Sequence, residues 1–321
     1  MSTEQDHGRA GALSADEARI RDSSRSTGER PSLLPALKLA FKNFREHNMT
    51  DRGASLTYYL VMSLFPALLV AVSLLGLFGQ QSLVTDATKY LQDAGAPESV
   101  TNIVNSALGS IVNSSSSKAL IPLIIGVVLG LNSASGAYGA AGRSLNVAFG
   151  EPEERGMIKK KGTQIFFTLV VILLALIALV CVLVGGGLAT DIFGAIGLGD
   201  TAGEIWRYAR WLVALLVVML TFGIIYAFAP DIPKEKFRFI SPGAVLAVIL
   251  WIVASIAFFF YVSNFSNYNA TYGAFAGAVI FLLWLYVTSL AFLLGGEFNA
   301  VYERFERGKD ETATVEAGNE A

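Results

Sequence analysis

The side chains that most often carry out chemistry are scarce in this chain. It has two histidines, His7 and His47, and a single cysteine, Cys181. Two separated histidines cannot form the ligand cluster that a protein-bound zinc requires, so we predict no metal site and no cofactor. One cysteine cannot form a disulfide within the chain and argues against thiol chemistry. The sequence also lacks a phosphate-binding Gly-Lys-Ser/Thr loop and a nucleophile elbow, and we predict that the protein is not an enzyme.

Long apolar segments without charge dominate the sequence. No charged residue lies between Arg238 and Glu297, and about 20 apolar residues are enough for a helix to cross roughly 30 Å of hydrocarbon. This stretch predicts two membrane spans, divided by a polar cluster at 263–271. The same criterion applied to the whole sequence predicts six spans, at about 56–79, 119–140, 164–188, 209–229, 242–262 and 274–296.

These segments predict an all-α fold, a polytopic membrane protein with a six-transmembrane-helix bundle. A membrane barrel is excluded because its strands alternate apolar and polar residues, whereas these segments are continuously apolar. Lys and Arg cluster before the first span and after the second, fourth and sixth spans, which predicts that both termini are cytoplasmic. The formal net charge is −2, and the basic residues are explained by topology, so we predict no nucleic-acid partner.

The predicted domain organisation has three parts. Residues 1–30 and 308–321 are polar and are predicted to be disordered cytoplasmic tails, and residues 31–307 form the membrane domain. Within it, segment 33–46 places Leu34, Leu37, Phe41 and Phe44 at helical spacing. This amphipathic helix either packs beneath the bundle or contacts anionic lipid headgroups. The outer loop, 80–118, contains a further helical pattern that fits either a lid over a cavity or a packing helix.

Small residues, a proline and one carboxylate mark positions of structural interest within the spans. Gly126 and Gly130 in the second span have the spacing that lets helices approach closely. Pro66 interrupts the backbone hydrogen bonding of the first span, either at a binding site or at a simple kink. Glu297 is predicted near the cytoplasmic end of the sixth span. There we expect an interfacial ion pair with a basic loop residue rather than an ion-coupling role.

Five sequence pieces in order resemble the YihY/BrkB family of integral membrane proteins. They are the run 52–66, the segment Arg-Ser-Leu-Asn at 143–146, Ala229-Pro230, Tyr272-Gly273, and Gly-Gly-Glu-Phe-Asn at 295–299. The resemblance covers about residues 34–305. Members of this family were long labelled ribonuclease BN, an activity for which this sequence supplies neither metal ligands nor a general-base cluster.

The resemblance implies an inner-membrane protein of the cell envelope that transports or exports a lipid or amphiphilic substrate. The family is linked to serum resistance and, in one branch, to export of lipopolysaccharide-type lipids. The alternative is a non-transporting membrane scaffold that recruits envelope or cytoplasmic partners. The expected partners are membrane lipids, a second copy of the chain and envelope proteins. An open interior among the second, fifth and sixth spans would favour transport, and a dry, closely packed bundle would favour the scaffold.

If the protein transports, its polar residues predict the substrate path. Each of these residues also has a structural interpretation, as an interhelical hydrogen bond, an interfacial aromatic residue or a topology anchor. The predicted path consists of Asn264, Asn267, Tyr268, Asn269 and Tyr272 at the outer side, Asn132 and Ser135 within the second span, and Arg143 with Asn146 at the inner side.

Overall fold

The computed structural model describes residues 33–77, 120–183, 199–232, 241–264 and 269–319, with side chains over 33–63, 127–178, 181, 202–232, 241–262 and 277–304. These residues form seven helices and no strand. The helices are α1 (Leu33–Glu46), α2 (Met49–Leu77), α3 (Leu120–Phe149), α4 (Met157–Leu183), α5 (Gly199–Phe228), α6 (Pro242–Asn264) and α7 (Asn269–Asn319).

Four helices among the described residues are long and apolar enough to cross a membrane. These segments are Met157–Ala178, Ala202–Phe228, Pro242–Val262 and Gly277–Arg304, in α4, α5, α6 and α7. Their exposed side chains include large apolar residues such as Phe166 and Leu173 on α4, and Val253 and Phe259 on α6. In water such surfaces would be costly, whereas lipid accommodates them. The all-helical fold is confirmed for these residues, and the count of six spans stays a prediction.

Helix α1 packs along α7 with part of its predicted apolar face. Its buried side chains include Ala36, Leu39 and Ala40, which form a cluster with Phe298 and Val301 of α7, and Leu37 packs against this cluster. Phe44 is buried, whereas Leu34 and Phe41 are 75% and 55% exposed. The small side chains of Ala36 and Ala40, at i and i+4, let the helices approach closely.

The turn after α1 is set by Asn48, whose φ of 51° lies in the left-handed region. Asparagine tolerates this conformation better than most residues. The Asn48 amide donates to the Arg45 carbonyl, and α2 then begins at Met49. This turn places His47 between α1 and α2, facing α7.

The main core is formed by residues of α2, α3, α5, α6 and α7, together with Phe44 of α1. Tyr226 of α5 is buried and donates a hydrogen bond to the Phe292 carbonyl of α7, and its ring stacks on the Phe292 ring with centroids 4.8 Å apart. Leu145 of α3 lies against Gly296. A Cβ on Gly295 would lie 2.5 Å from the Ala247 Cβ and 2.6 Å from the Gly243 carbonyl oxygen. Glycine is therefore needed where α6 and α7 meet.

Several predicted positions have no described side chain. Pro66 lies within α2, Gly126 within α3, and Asn269 with Tyr272 in α7, while Asn264 is the last residue of α6. Asn267, Tyr268 and the predicted outer loop lie outside the described residues. The predicted outer side of the substrate path therefore stays a prediction.

Candidate functional site

One face of α3 carries a serine, a glycine and an arginine at steps of four residues. Ser135, Gly139 and Arg143 therefore lie one above another along the helix. Ser135 is fully buried and donates its hydroxyl to the Asn132 carbonyl at 2.7 Å, while Arg143 is exposed. Gly139 is buried, and without a side chain it leaves space between them for groups from other helices.

Helix α4 supplies two polar side chains to this face. Lys161 donates from Nζ to the Ser135 Oγ at 2.7 Å. Gln164 is one helical turn further along, and its Nε2 lies 2.7 Å from where a Cβ on Gly139 would be. Both residues fall inside the α4 segment that is long and apolar enough to span a membrane. A charged lysine is thus directed into a helix interface rather than away from it.

Helix α2 closes the other side with an aromatic ring. The Arg143 guanidinium carbon lies 5.6 Å from the centroid of the Tyr59 ring, within the range of a cation–π interaction. The Tyr59 ring also covers Gly136, where an added Cβ would lie 2.9 Å from Cδ1. We call the set Tyr59, Ser135, Gly139, Arg143, Lys161 and Gln164 the α3 groove.

The α3 groove carries two positive charges and no described negative partner. No carboxylate of the described residues forms an ion pair with Arg143 or Lys161, whereas Arg155 and Lys160 both pair with Glu153. Charges among membrane helices usually pair with one another or mark a functional pathway. The groove can therefore attract a negatively charged or strongly polar group.

Asn146, predicted to lie on the substrate path beside Arg143, is placed in a different set of contacts. It is buried, and its Oδ1 accepts a hydrogen bond from the Asp231 amide at 2.7 Å, after the end of α5. Asp231 in turn accepts from the Glu154 amide and lies 3.6 Å from Arg155. The structure therefore separates Asn146 from Arg143 and gives it a role in joining α3 to the end of α5.

Arg155 is the centre of this junction. It donates to both carboxylate oxygens of Glu153, at 2.6 and 2.9 Å, and to the Ala229 carbonyl. The hydrogen bond from Arg155 lowers the pKa of Glu153, and the positive charges of Arg155 and Lys160 add to the effect. Gly150, with a φ of 72°, ends α3 and starts this loop.

Glu297 lies in a second polar site, at the interface of α7 with the turn between α1 and α2. Its side chain is fully buried, and Oε1 lies 2.6 Å from the Nδ1 of His47, which retains 28% exposure. The other oxygen, Oε2, has no hydrogen-bond donor among the described residues. Arg52 donates to the His47 carbonyl at 3.1 Å and so fixes the turn. We expected an interfacial ion pair with a basic loop residue. The structure places His47, in the turn between α1 and α2, against this carboxylate, and the carboxylate is fully buried.

Helices α3, α6 and α7, which contain the predicted second, fifth and sixth spans, are closely packed at this end of the bundle. In the part of the chain that the structure describes, Gly243 of α6 meets Gly295 of α7, and Leu145 of α3 meets Gly296 of α7, at contact distance. Glycines allow helices to pack through their backbones. This close packing is the arrangement that we expected to favour the scaffold.

Sequence reasoning missed three groove residues. Lys161 was interpreted as a topology residue together with Lys159 and Lys160, and Gln164 and Tyr59 were not selected. A signal was present, because Lys161, Gln164 and Thr168 recur at helical spacing and define a polar stripe on an otherwise apolar helix. Of the predicted residues, Ser135 and Arg143 lie in the groove, the exposed Asn132 borders it through its carbonyl, and Gly130 is buried nearby on α3.

The fold and the two polar sites define an all-helical membrane protein with ionisable groups among its helices. The family described as Virulence factor BrkB matches residues 40–320, so this chain belongs to that family. The match includes both the α3 groove and the His47–Glu297 pair. The resemblance stated from the sequence is thereby confirmed.

Individual relatives agree with the family assignment. The putative ribonuclease-like protein YfkH of Bacillus subtilis is 35% identical, covering 86% of this chain and 98% of its own length. A UPF0761 membrane protein of Aggregatibacter aphrophilus is 24% identical over 81% of this chain and 89% of the relative. One from Xanthomonas campestris is 25% identical over 84% of this chain but only 60% of that longer protein. No solved structure matches the chain significantly.

Proposed function

We propose that this protein binds a lipid or amphiphilic substrate on the surface of the helix bundle formed by α2, α3 and α4. We propose that it moves this substrate, or helps to move it, across the inner membrane. The observation that carries the proposal is the α3 groove, a cationic and polar notch beside a strongly apolar helix face. An amphiphile needs both surfaces, one for its headgroup and one for its chains.

Large apolar side chains are exposed on the helices that form the groove. Leu169 of α4 is 50% exposed, and Met62 of α2, three residues from Tyr59, is 42% exposed. Acyl chains lying on these residues would bring a headgroup to the level of Lys161 and Gln164.

The orientation of the chain is part of the same proposal. With both termini in the cytoplasm, the loop that begins at Gly150 and the basic start of α4 lie at the cytoplasmic surface, so the groove opens toward the inner leaflet. This follows from the distribution of Lys and Arg in the sequence. A substrate would then enter from the inner leaflet.

The name of the Bacillus relative refers to a ribonuclease-like protein. For this chain we propose a non-enzymatic role without a cofactor. Among the described residues, no group of three His, Cys, Asp or Glu side chains is placed to hold a metal ion. A ribonuclease assay on the purified protein, with and without added divalent cations, tests this part of the proposal, and cleavage that co-purifies with the protein would contradict it.

A non-transporting scaffold is the second candidate, and the close packing of α6 on α7 around Gly243 and Gly295 favours it. A tight interior suits a rigid platform, and the exposed Leu34 and Phe41 of α1 offer a surface for a protein partner or a second copy. The two candidates differ in one property, because only a transporter accelerates lipid movement in vesicles that contain no other protein.

The test is a transfer assay in liposomes that contain purified protein and a fluorescent phospholipid or glycolipid, with a membrane-impermeant quencher outside. We expect protein-dependent loss of the protected inner-leaflet fluorescence, slowed in Arg143→Ala, which removes a groove charge. Asn264→Ala tests the predicted outer part of the path. Equal rates in liposomes with and without protein, for every lipid class tested, would contradict transport and favour the scaffold.

A further inference from the structure

The α3 groove also indicates the chemical class of its ligand. Resting on the function proposed above, we propose that the groove binds the phosphate-bearing headgroup of an anionic lipid between Lys161 and Arg143. Three features of the groove carry this assignment: the spacing of its two charges, their unused hydrogen-bond donors and the apolar wall beside them.

The spacing of the charges follows from the helix. The Arg143 side chain folds back over the preceding turn, where its Nη1 lies 3.4 Å from the Cβ position of Gly139. Lys161 contacts Ser135, four residues earlier on α3. Four residues correspond to about 6 Å along a helix axis. Charge-assisted hydrogen bonds to phosphate oxygens are about 2.8 Å long, so this axial spacing matches one phosphate bonded to both cations, with the Gln164 amide beside Gly139 as a further donor.

The donors that face this space are largely unused. An ammonium group has three N–H donors, and among the described residues Lys161 uses one, toward Ser135. Arg143 contacts the Tyr59 ring with its guanidinium and forms no hydrogen bond to another described residue. The edge of a guanidinium presents paired N–H groups, whose geometry matches two oxygens of one phosphate. The Gln164 amide can reach a neighbouring ester or hydroxyl group.

The other basic residues of the same loop and of α4 do not share the environment of Lys161. Arg155 and Lys160 are neutralised by Glu153. Lys159, two residues before Lys161, is exposed and contacts no groove residue. Lys159 is therefore a matched control, since its removal changes the charge of α4 by the same amount without touching the groove.

The apolar wall decides between a lipid and a free phosphate ion. Leu169 of α4 and Met62 of α2 are exposed on helices that form the groove. An inorganic anion makes no use of them, whereas the chains of a lipid cover them. A zwitterionic headgroup is disfavoured because its own positive charge would be repelled by Lys161 and Arg143. No carboxylate of the described residues pairs with these two side chains and could offset that repulsion.

The experiment measures binding of short-chain lipids to the full-length protein in micelles of a neutral detergent. The probes are dihexanoyl phosphatidylglycerol, dihexanoyl phosphatidylcholine and inorganic phosphate, followed by thermophoresis. We expect the anionic lipid to bind about tenfold more tightly than the zwitterionic one, and Lys161→Met or Arg143→Gln to remove about this factor of affinity. Lys159→Met should change the affinity for the anionic lipid by less than about twofold, and Lys161→Arg should retain most of that affinity.

Equal affinity for the two lipids, or equal losses in Lys161→Met and Lys159→Met, would overturn the assignment. Inorganic phosphate that binds as tightly as the anionic lipid would overturn the lipid source. Because Arg143→Gln changes a different helix from Lys161→Met, misfolding of one variant leaves the other as a test. Selective binding without transfer in liposomes would refute the proposed transport alone, and transfer without selective binding would refute the headgroup site alone.

Discussion

The protein contains two polar sites among its helices, and the sites differ in whether their charged side chains have a partner among the described residues. At the α1–α2 turn, the fully buried Glu297 faces His47, and small residues pack α6 closely against α7. In the α3 groove, Arg143 and Lys161 lie beside exposed apolar side chains and have no described carboxylate partner. A buried, paired group contributes to the fold. Cations that lack a counter-charge at the edge of a bundle are available to a ligand.

This comparison predicts that substitutions at the first site change stability and that substitutions in the groove change lipid binding. The largest expected effect is that of His47→Ala, because it leaves the Glu297 carboxylate buried without a partner. Breaking a buried pair costs about 3–5 kcal/mol. The thermal midpoint of the protein in detergent micelles measures this loss.

The control for this prediction is the double variant His47→Ala/Glu297→Gln. The neutral amide does not leave a charge behind, so we expect the double variant to be more stable than His47→Ala alone. A double variant that is less stable than His47→Ala would show that the charge of Glu297 is not what His47 stabilises.

A smaller loss is expected from Gly295→Ala. The new Cβ would lie within 2.7 Å of Ala247, the Gly243 carbonyl and the Tyr226 hydroxyl. Overpacking of this kind costs about 1–3 kcal/mol, and the upper part of that range applies because backbone cannot move aside easily. Gly277→Ala is the matched control on the same helix, since a Cβ there meets nothing within 4 Å. Equal thermal midpoints for the two variants would contradict the close packing of α6 on α7.

Glu153→Gln should destabilise by about 1 kcal/mol at neutral pH, because it removes a charge-assisted hydrogen bond from Arg155. The pKa of Glu153 is lower in the folded protein than its ordinary value of 4.5. The stabilisation is therefore present above pH 4.5 and is lost as the pH falls through the lower, folded pKa. The gap in thermal midpoint between wild type and variant should narrow over that acidic range. A gap that widens there would contradict the assignment.

The smallest effect on stability is expected in the groove itself. Lys161→Met should lower the free energy of unfolding by about 0.5–1 kcal/mol, because it removes the hydrogen bond to the buried Ser135 hydroxyl but retains an apolar chain of similar length. Lys159→Met, which removes no hydrogen bond among the described residues, should change the free energy of unfolding by less than about 0.5 kcal/mol. A loss comparable to that of His47→Ala would mean that the groove lysine supports the fold, which would remove the contrast between the two sites.

The sequence predicted the parts of the fold that depend on local composition. Helices α4 to α7 follow from apolar length alone, since a bilayer requires it whatever the neighbours. On α1, the sequence did not indicate the packing of Ala36 and Ala40, because they carry little hydrophobic signal and their fit depends on α7. The α3 groove was found in part, through Ser135 and Arg143.

Long-range contacts were the least predictable. Lys161 is 26 positions from Ser135, and His47 is 250 positions from Glu297. Nothing in the local pattern of either residue indicates its partner. Clusters of Lys are ordinary at span ends, so the one lysine that turns inward cannot be separated from its neighbours until the helices are placed.

The role of the α3 groove in lipid transfer is tested most directly in liposomes that contain fluorescent phosphatidylglycerol. Three proteins are compared at equal protein content: wild type, the Arg143→Gln/Lys161→Met double variant and Lys159→Met. If the groove carries the lipid, wild type and Lys159→Met should transfer it, and the double variant should show a rate near that of protein-free liposomes. The thermal midpoints should show that all three proteins are folded. Transfer by the double variant at the wild-type rate would contradict this role of the groove.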